Sequence, residues 1–221
     1  MGQKGEAMRE TFHSELAELT KLLGDMCGQA AEAMRLATES MLSADLDTAE
    51  RVLTADASLD ELRERCAERA QQMLALQAPV ASDLRLVLSA VYCADKIERM
   101  GDLAEHIAST TRRVHPAHVV PPELVDTFAQ LGAIAADMAC QLVEHITRPR
   151  QGGYAALDET DHQVDDLHAE VLRKITCETW QHDVPTATCL ALVARFYERY
   201  ADQAVSVAKR IEFASTGEQP R

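Results

Sequence analysis

The chain has 221 residues, 47 % apolar and only 4 % aromatic, which suits helices and argues against a sandwich or barrel rich in β-branched and aromatic residues. Thirty-six acidic residues face 22 lysines and arginines, a formal charge of −14, which speaks against nucleic acid as a direct partner. No apolar run reaches the length of a membrane span and the first residues lack an apolar h-region, so a soluble cytoplasmic protein is expected.

Six helical segments follow in chain order. The first, over 9–42, carries Leu16, Leu19, Leu23, Met26, Ala30, Ala33 and Ala37 in steps of three and four. "SADLD" at 43–47 offers capping residues, and the second helix spans 47–76. Pro79 marks the turn into the third, 80–113, which has two apolar stripes and is therefore expected to lie wedged between neighbours. Pro116, Pro121 and Pro122 break the chain before a fourth helix over 121–147, seamed by Leu124, Phe128, Leu131, Ala135, Met138 and Leu142. Pro149, Gly152 and Gly153 precede the fifth, 154–181. Pro185 opens the sixth, 185–213, which repeats the double stripe of the third. Residues 1–8 and 215–221 are expected to fray. Helices this long suggest antiparallel bundles.

The chain repeats itself. Ala94, Glu98, Arg99, Asp102, Ala104 and Ala108 match Ala194, Glu198, Arg199, Asp202, Ala204 and Ala208 at an offset of 100. Asp56, Asp60 and Leu62 match Asp161, Asp165 and Leu167 at an offset of 105, and Leu23-Gly24 matches Leu131-Gly132 at 108. A period near 105 is too long for a solenoid. The fold expected is all-α, two tandem three-helix bundles over 9–113 and 121–213.

Each half carries two acidic pairs at i,i+4: Asp56/Asp60 and Glu98/Asp102, then Asp161/Asp165 and Glu198/Asp202. The spacing alone says little, because this composition yields about six such pairs by chance and eight are present. Register says more. Residues equidistant from a hairpin turn lie side by side, and the midpoint between the first two pairs is Pro79; between the second two it is 181.5, inside "WQHDVP". Glu98 and Glu198 also continue apolar stripes, where a carboxylate is costly unless paired, protonated or bound to a cation. The eight carboxylates are therefore candidate ligands for two metal sites; the alternative is salt bridging to Arg63, Arg99 or Arg199. Hard oxygen donors suit iron, manganese or magnesium better than zinc or copper. His106, at i+4 from Asp102, could support the first site from outside the ligand set.

The remaining reactive residues carry less. Cys27, Cys66, Cys93, Cys140, Cys177 and Cys189 form no CxxC pair and read as buried, reduced thiols. The eight histidines are scattered, and no glycine-rich phosphate cradle is present, so neither catalysis nor direct phosphate binding is expected. Trp180 and Tyr197 are expected to cap the turn end of the second hairpin.

"PVASDLR" (79–85), "IERMGDLAEHIA" (97–108) and "FYERYADQAV" (196–205), with "DASLDEL" and "DHQVDDL" in register, resemble the signature segments of the PhoU family across 9–213. The resemblance implies an all-helical cytoplasmic protein, often a homodimer, with metal held at these carboxylates. It further implies a negative regulator of the phosphate-starvation response that links the ATPase subunit of a phosphate ABC transporter to a sensor histidine kinase. Any membrane association would be peripheral, through those partners. One departure, "YERYAD" in place of the family's "IERIGD", puts Tyr200 and Ala201 beside the second site and is expected to narrow it. The rival reading is a di-iron, ferritin-like enzyme or storage protein. It would need a matched Glu-x-x-His element in each half, but Asp165-x-x-His168 has no counterpart where Arg63 stands.

Overall fold

Asp45 accepts hydrogen bonds from the backbone N–H groups of Asp47 (3.0 Å) and Thr48 (3.3 Å) and from the Thr48 hydroxyl (2.6 Å). It thereby satisfies donors that a helix start leaves open. Asp183 does the same for the last helix through the Thr186 N–H at 2.9 Å, with Pro185 in the first turn. The computed structural model describes residues 2–149 and 151–220, with side chains from residue 10 on. It holds α1 (Gly2–Ser43), α2 (Leu46–Gln77), α3 (Ala81–Val114), α4 (Val125–Thr147), α5 (Gly153–Ile175) and α6 (Val184–Thr216), with a short 3-10 turn at Pro122–Leu124. No strand occurs among the described residues.

Four boundaries depart from the sequence reading. α1 continues back to Gly2 instead of fraying before residue 9, through helix-favouring residues such as Gln3, Lys4, Glu6 and Ala7. α4 begins at Val125, not 121, because two prolines hold the preceding residues in an extended and then a 3-10 conformation. α5 stops at Ile175, six residues short of the expected end. There Trp180 N–H bonds the Cys177 carbonyl at 3.1 Å and closes a turn. α6 runs on to Thr216, where Gly217 takes φ 80° and donates to the Phe213 carbonyl at 2.8 Å.

α1, α3, α6 and α4 pack in a ring, each touching the next. α2 lies against α1 and α3, and α5 lies against α4 and α6. α3 is thus enclosed by α1, α2 and α6, as its two stripes require. One core runs through both halves: Met26 and Met34 of α1, Met100 and Ile107 of α3, Phe128 of α4 and Tyr200 of α6 are all fully buried. Tyr197 corrects the sequence reading. It does not cap the hairpin turn but is fully buried, with its hydroxyl 2.8 Å from that of Thr38 on α1 and its ring tilted against Phe128. The pair joins the two halves at the centre.

The cysteines divide. Cys27, Cys66 and Cys93 are buried, and burial pushes the Cys66 thiol up to about 11. Cys140 and Cys177 are exposed and Cys189 is half-buried, contrary to expectation. Cys177 lies beyond the true end of α5, and Cys140 is exposed on α4. No helix of the described residues is long and apolar enough to cross a membrane.

Candidate metal centres

α2 and α3 run antiparallel from the turn at Ala78–Val80, so their carboxylates meet in mirror order about Pro79. Asp56 faces Asp102, and Asp60 stands near Glu98. Burial, then the negative charges of Asp102, Asp60 and Glu105, push the Asp56 carboxyl above its ordinary range, with His106 opposing. Glu98 is raised by burial and then by Asp102 and Asp60, against the pull of Arg63.

The helices come this close because of one residue. A Cβ on Gly101 would sit 2.2 Å from Leu59 Cδ2 and 3.7 Å from Asp56 Oδ1. Gly101 therefore lets α2 settle against α3 with Asp56 and Asp102 across the seam. At the matching positions of the second half stand Ala201 and Val164, both buried. One methyl is gained and one methylene lost, which conserves volume.

α5 and α6 repeat the arrangement. Asp161 faces Asp202, with Asp165 and Asp158 close by, and its carboxyl is pushed up to about 6 by burial and then by these neighbours. Its Oδ1 is buried and lacks a hydrogen-bond partner among the described residues. The Glu198 side chain is 14 % exposed and is ion-paired to Arg195. Tyr200 does not narrow this site, contrary to expectation. It is fully buried beside Cys27 and Cys140, towards α1 and α4, away from the α5 seam.

The arginines fall differently from the sequence reading in one half. Arg99 holds Asp102 at 2.5 Å, as the salt-bridge alternative supposes. In the second half the arginine that reaches a ligand candidate is Arg195, not Arg199. The repeat explains the change. Arg63 pairs with Asp95 across the first hairpin at 4.0 Å. Their counterparts are His168 and Arg195, so a cation now stands on α6 and turns to Glu198 one turn on. His168 is held below its ordinary value by burial and then by Arg195. His106 sits with Nδ1 2.8 Å from Glu105 Oε2 and its ring edge-on to Phe196, and it acts electrostatically on Asp56. Glu105 and Asp158, absent from the sequence-derived set, join the two clusters at i+3 from Asp102 and i−3 from Asp161.

No three His, Cys, Asp or Glu side chains among the described residues converge closely enough to hold a metal ion as they stand. Arg99 and Arg195 draw Asp102 and Glu198 to themselves. The donor chemistry nonetheless fits a hard cation. Asp56 and Glu98 in the first seam and Asp161 in the second are partly desolvated and raised by their acidic neighbours, and Asp161 Oδ1 has no hydrogen-bond partner among the described residues, whereas Asp60, Asp165 and Asp202 stand exposed. Asp56, Asp60, Glu98 and Asp102 are the residues that could hold a cation in the first half. Asp161, Asp165, Glu198 and Asp202 are those of the second.

Fold and seams together define a duplicated six-helix bundle with a carboxylate-lined hairpin in each half. The model of the PhoU domain matches residues 23–111 and again 128–211. The phosphate-specific transport system accessory protein PhoU homolog 2 of Mycobacterium tuberculosis is 41 % identical over 213 residues, spanning 96 % of this chain and all of that relative. PhoU homolog 1 of Mycobacterium leprae is also 41 % identical, over 96 % of both chains. The crystal structure of the phosphate transport system regulatory protein PhoU from Streptococcus pneumoniae superposes with a TM-score of 0.85 at 23 % identity, covering 95 % of this chain and 99 % of that one. The chain belongs to the PhoU family.

Proposed function

We propose that this protein is a cytoplasmic accessory protein of a phosphate-specific transport system that represses the phosphate-starvation response while phosphate is ample. It acts as a regulator rather than an enzyme, between the ATPase subunit of a phosphate ABC transporter and a sensor histidine kinase. The observation that carries this reading is the 41 % identity, over 96 % of the chain, to relatives named for that system. In this reading residues 9–113 and 121–213 are two copies of one unit, and the protein works as a homodimer that meets the membrane only through its partners.

Each carboxylate seam holds a hard cation, iron in the first instance, with manganese or magnesium as alternatives. The supporting features are the raised carboxyls of Asp56, Glu98 and Asp161 and the unpartnered Asp161 Oδ1. A bound cation would supply positive charge where carboxylates otherwise need a proton or an arginine. Leu59 against Gly101 fixes the width of the seam in the first half.

The test is secreted alkaline phosphatase in cells grown with ample phosphate. Deleting the gene should raise output, and the chain supplied in trans should restore repression. Output that stays low in the deletion strain, in cells with no second gene of this family, would overturn the regulatory reading.

A further inference from the structure

Some lysines and arginines of this acidic chain pair with carboxylates, as Arg35, Arg69, Arg112 and Lys174 do. Four cations on the α3–α6 face make no ion pair among the described residues: Arg85, Lys96, Lys209 and Arg210. They rest on aromatic rings instead. The Arg210 guanidinium lies 4.3 Å from the Tyr92 ring centroid and 5.8 Å from that of Phe213. Lys96 Nζ is 5.5 Å from the Tyr92 centroid, and Lys209 Nζ is 5.2 Å from that of Tyr154. Arg85 has a structural task, since its Nε donates to the Ala214 carbonyl at 3.1 Å and its guanidinium covers Gly217 at the end of α6. Glu212, one turn from Lys209, accepts instead from the Tyr154 N–H at 3.1 Å.

A guanidinium stacked on a ring has its flat face occupied and its N–H edge free for an anion. Ser206, Lys209 and Arg210 fall at i, i+3 and i+4, on one face of α6. With Tyr92, Phe213 and Gln219 they line a hollow of about 240 Å³ that contains no carboxylate. Several donors on separate side chains, carrying two positive charges, suit a tetrahedral oxyanion with acceptors in several directions. We propose that this hollow binds a phosphoryl group, either as free inorganic phosphate or as the headgroup of an anionic phospholipid. The site is separate from the carboxylate seams, two turns beyond Asp202 along α6, and its existence does not depend on the regulatory reading.

The test is calorimetric titration of inorganic phosphate into the full chain at low ionic strength, alongside sedimentation with phosphatidylcholine vesicles with and without phosphatidylglycerol. Saturable binding to phosphate identifies the free anion; binding only to vesicles containing phosphatidylglycerol identifies the headgroup. In either case Lys209→Gln/Arg210→Gln should weaken binding about tenfold or more, because two charge-assisted contacts are lost. Lys21→Gln/Arg65→Gln, which removes the same charge from exposed positions elsewhere, should leave it unchanged. Lys209→Gln alone should weaken binding severalfold with an unaltered unfolding midpoint, separating recognition from folding. Added salt should weaken binding as well. Absence of binding to both probes, or equal weakening in the two double variants, would overturn the proposal.

Discussion

Asp161 offers the sharpest test of the second carboxylate seam. Burial and three acidic neighbours push its carboxyl from an ordinary 3.8 to about 6. Fully expressed, that difference amounts to about 3 kcal/mol; the group is partly solvated, so screening reduces it to about 1–2 kcal/mol. A raised carboxyl means that the folded state keeps a proton the unfolded state has released. The cost to stability therefore develops as pH rises from about 4 to about 6, and is complete above that window. Asp161→Asn keeps the shape and removes the charge. In chelator-treated protein near neutral pH it should be more stable than the wild type by about 1–2 kcal/mol, or a few degrees in melting temperature. Near pH 4 the advantage should vanish, since the wild-type carboxyl is then protonated when folded. Denaturant unfolding followed by circular dichroism across this range reads both quantities. A variant less stable than the wild type at neutral pH, or a difference that does not change with pH, would refute the reasoning.

Two buried tyrosines should respond in opposite directions in the same assay. Tyr197→Phe removes the hydrogen bond to Thr38 and should cost about 1 kcal/mol, whereas the Tyr200 hydroxyl is buried with no partner among the described residues, so Tyr200→Phe should gain about 1 kcal/mol. Gly101→Ala forces Leu59 aside and should destabilise by about 1–3 kcal/mol. Gly24→Ala meets nothing within 4 Å and should stabilise by about 1 kcal/mol, so the midpoints should fall in the order Gly24→Ala, wild type, Gly101→Ala. Arg195→Gln removes a cation facing His168, so the imidazole should titrate at higher pH by NMR, though burial still holds it below its ordinary value.

The hairpin geometry was legible in the sequence because a turn residue and two spaced pairs determine it. Counting outward from Pro79 puts Asp56 opposite Asp102 and Asp60 opposite Glu98, the neighbours found in space. The role of Arg195 was obscured because helical position, not adjacency, decides reach. Arg199 follows Glu198 directly but points about 100° around the helix, whereas Arg195 lies one turn back on the same side. The exchange of Asp95 for Arg195 in the repeat alignment was the available signal. Tyr197 was misplaced because an aromatic on an amphipathic helix looks the same whether it closes a bundle end or fills a junction. Only the ring of four helices, which sets α6 diagonally across the core from α1, brings it to Thr38. The early end of α5 depends on a turn whose hydrogen bonds leave no periodic mark in the sequence. The phosphoryl hollow joins Tyr92 to residues more than 100 positions away, and no local motif spans that gap.

The measurement that tests the carboxylate seams most directly is the metal content of the purified protein, by elemental mass spectrometry, for the wild type and for variants of each seam. The wild type should retain iron, manganese or magnesium. Asp56→Asn/Glu98→Gln and Asp161→Asn/Glu198→Gln should each lose the share held by one seam, and the combined variant should be metal-free with its helicity intact. Wild-type protein that binds none of the three metals when they are supplied, or a combined variant that binds as much as the wild type, would contradict the assignment of these eight carboxylates.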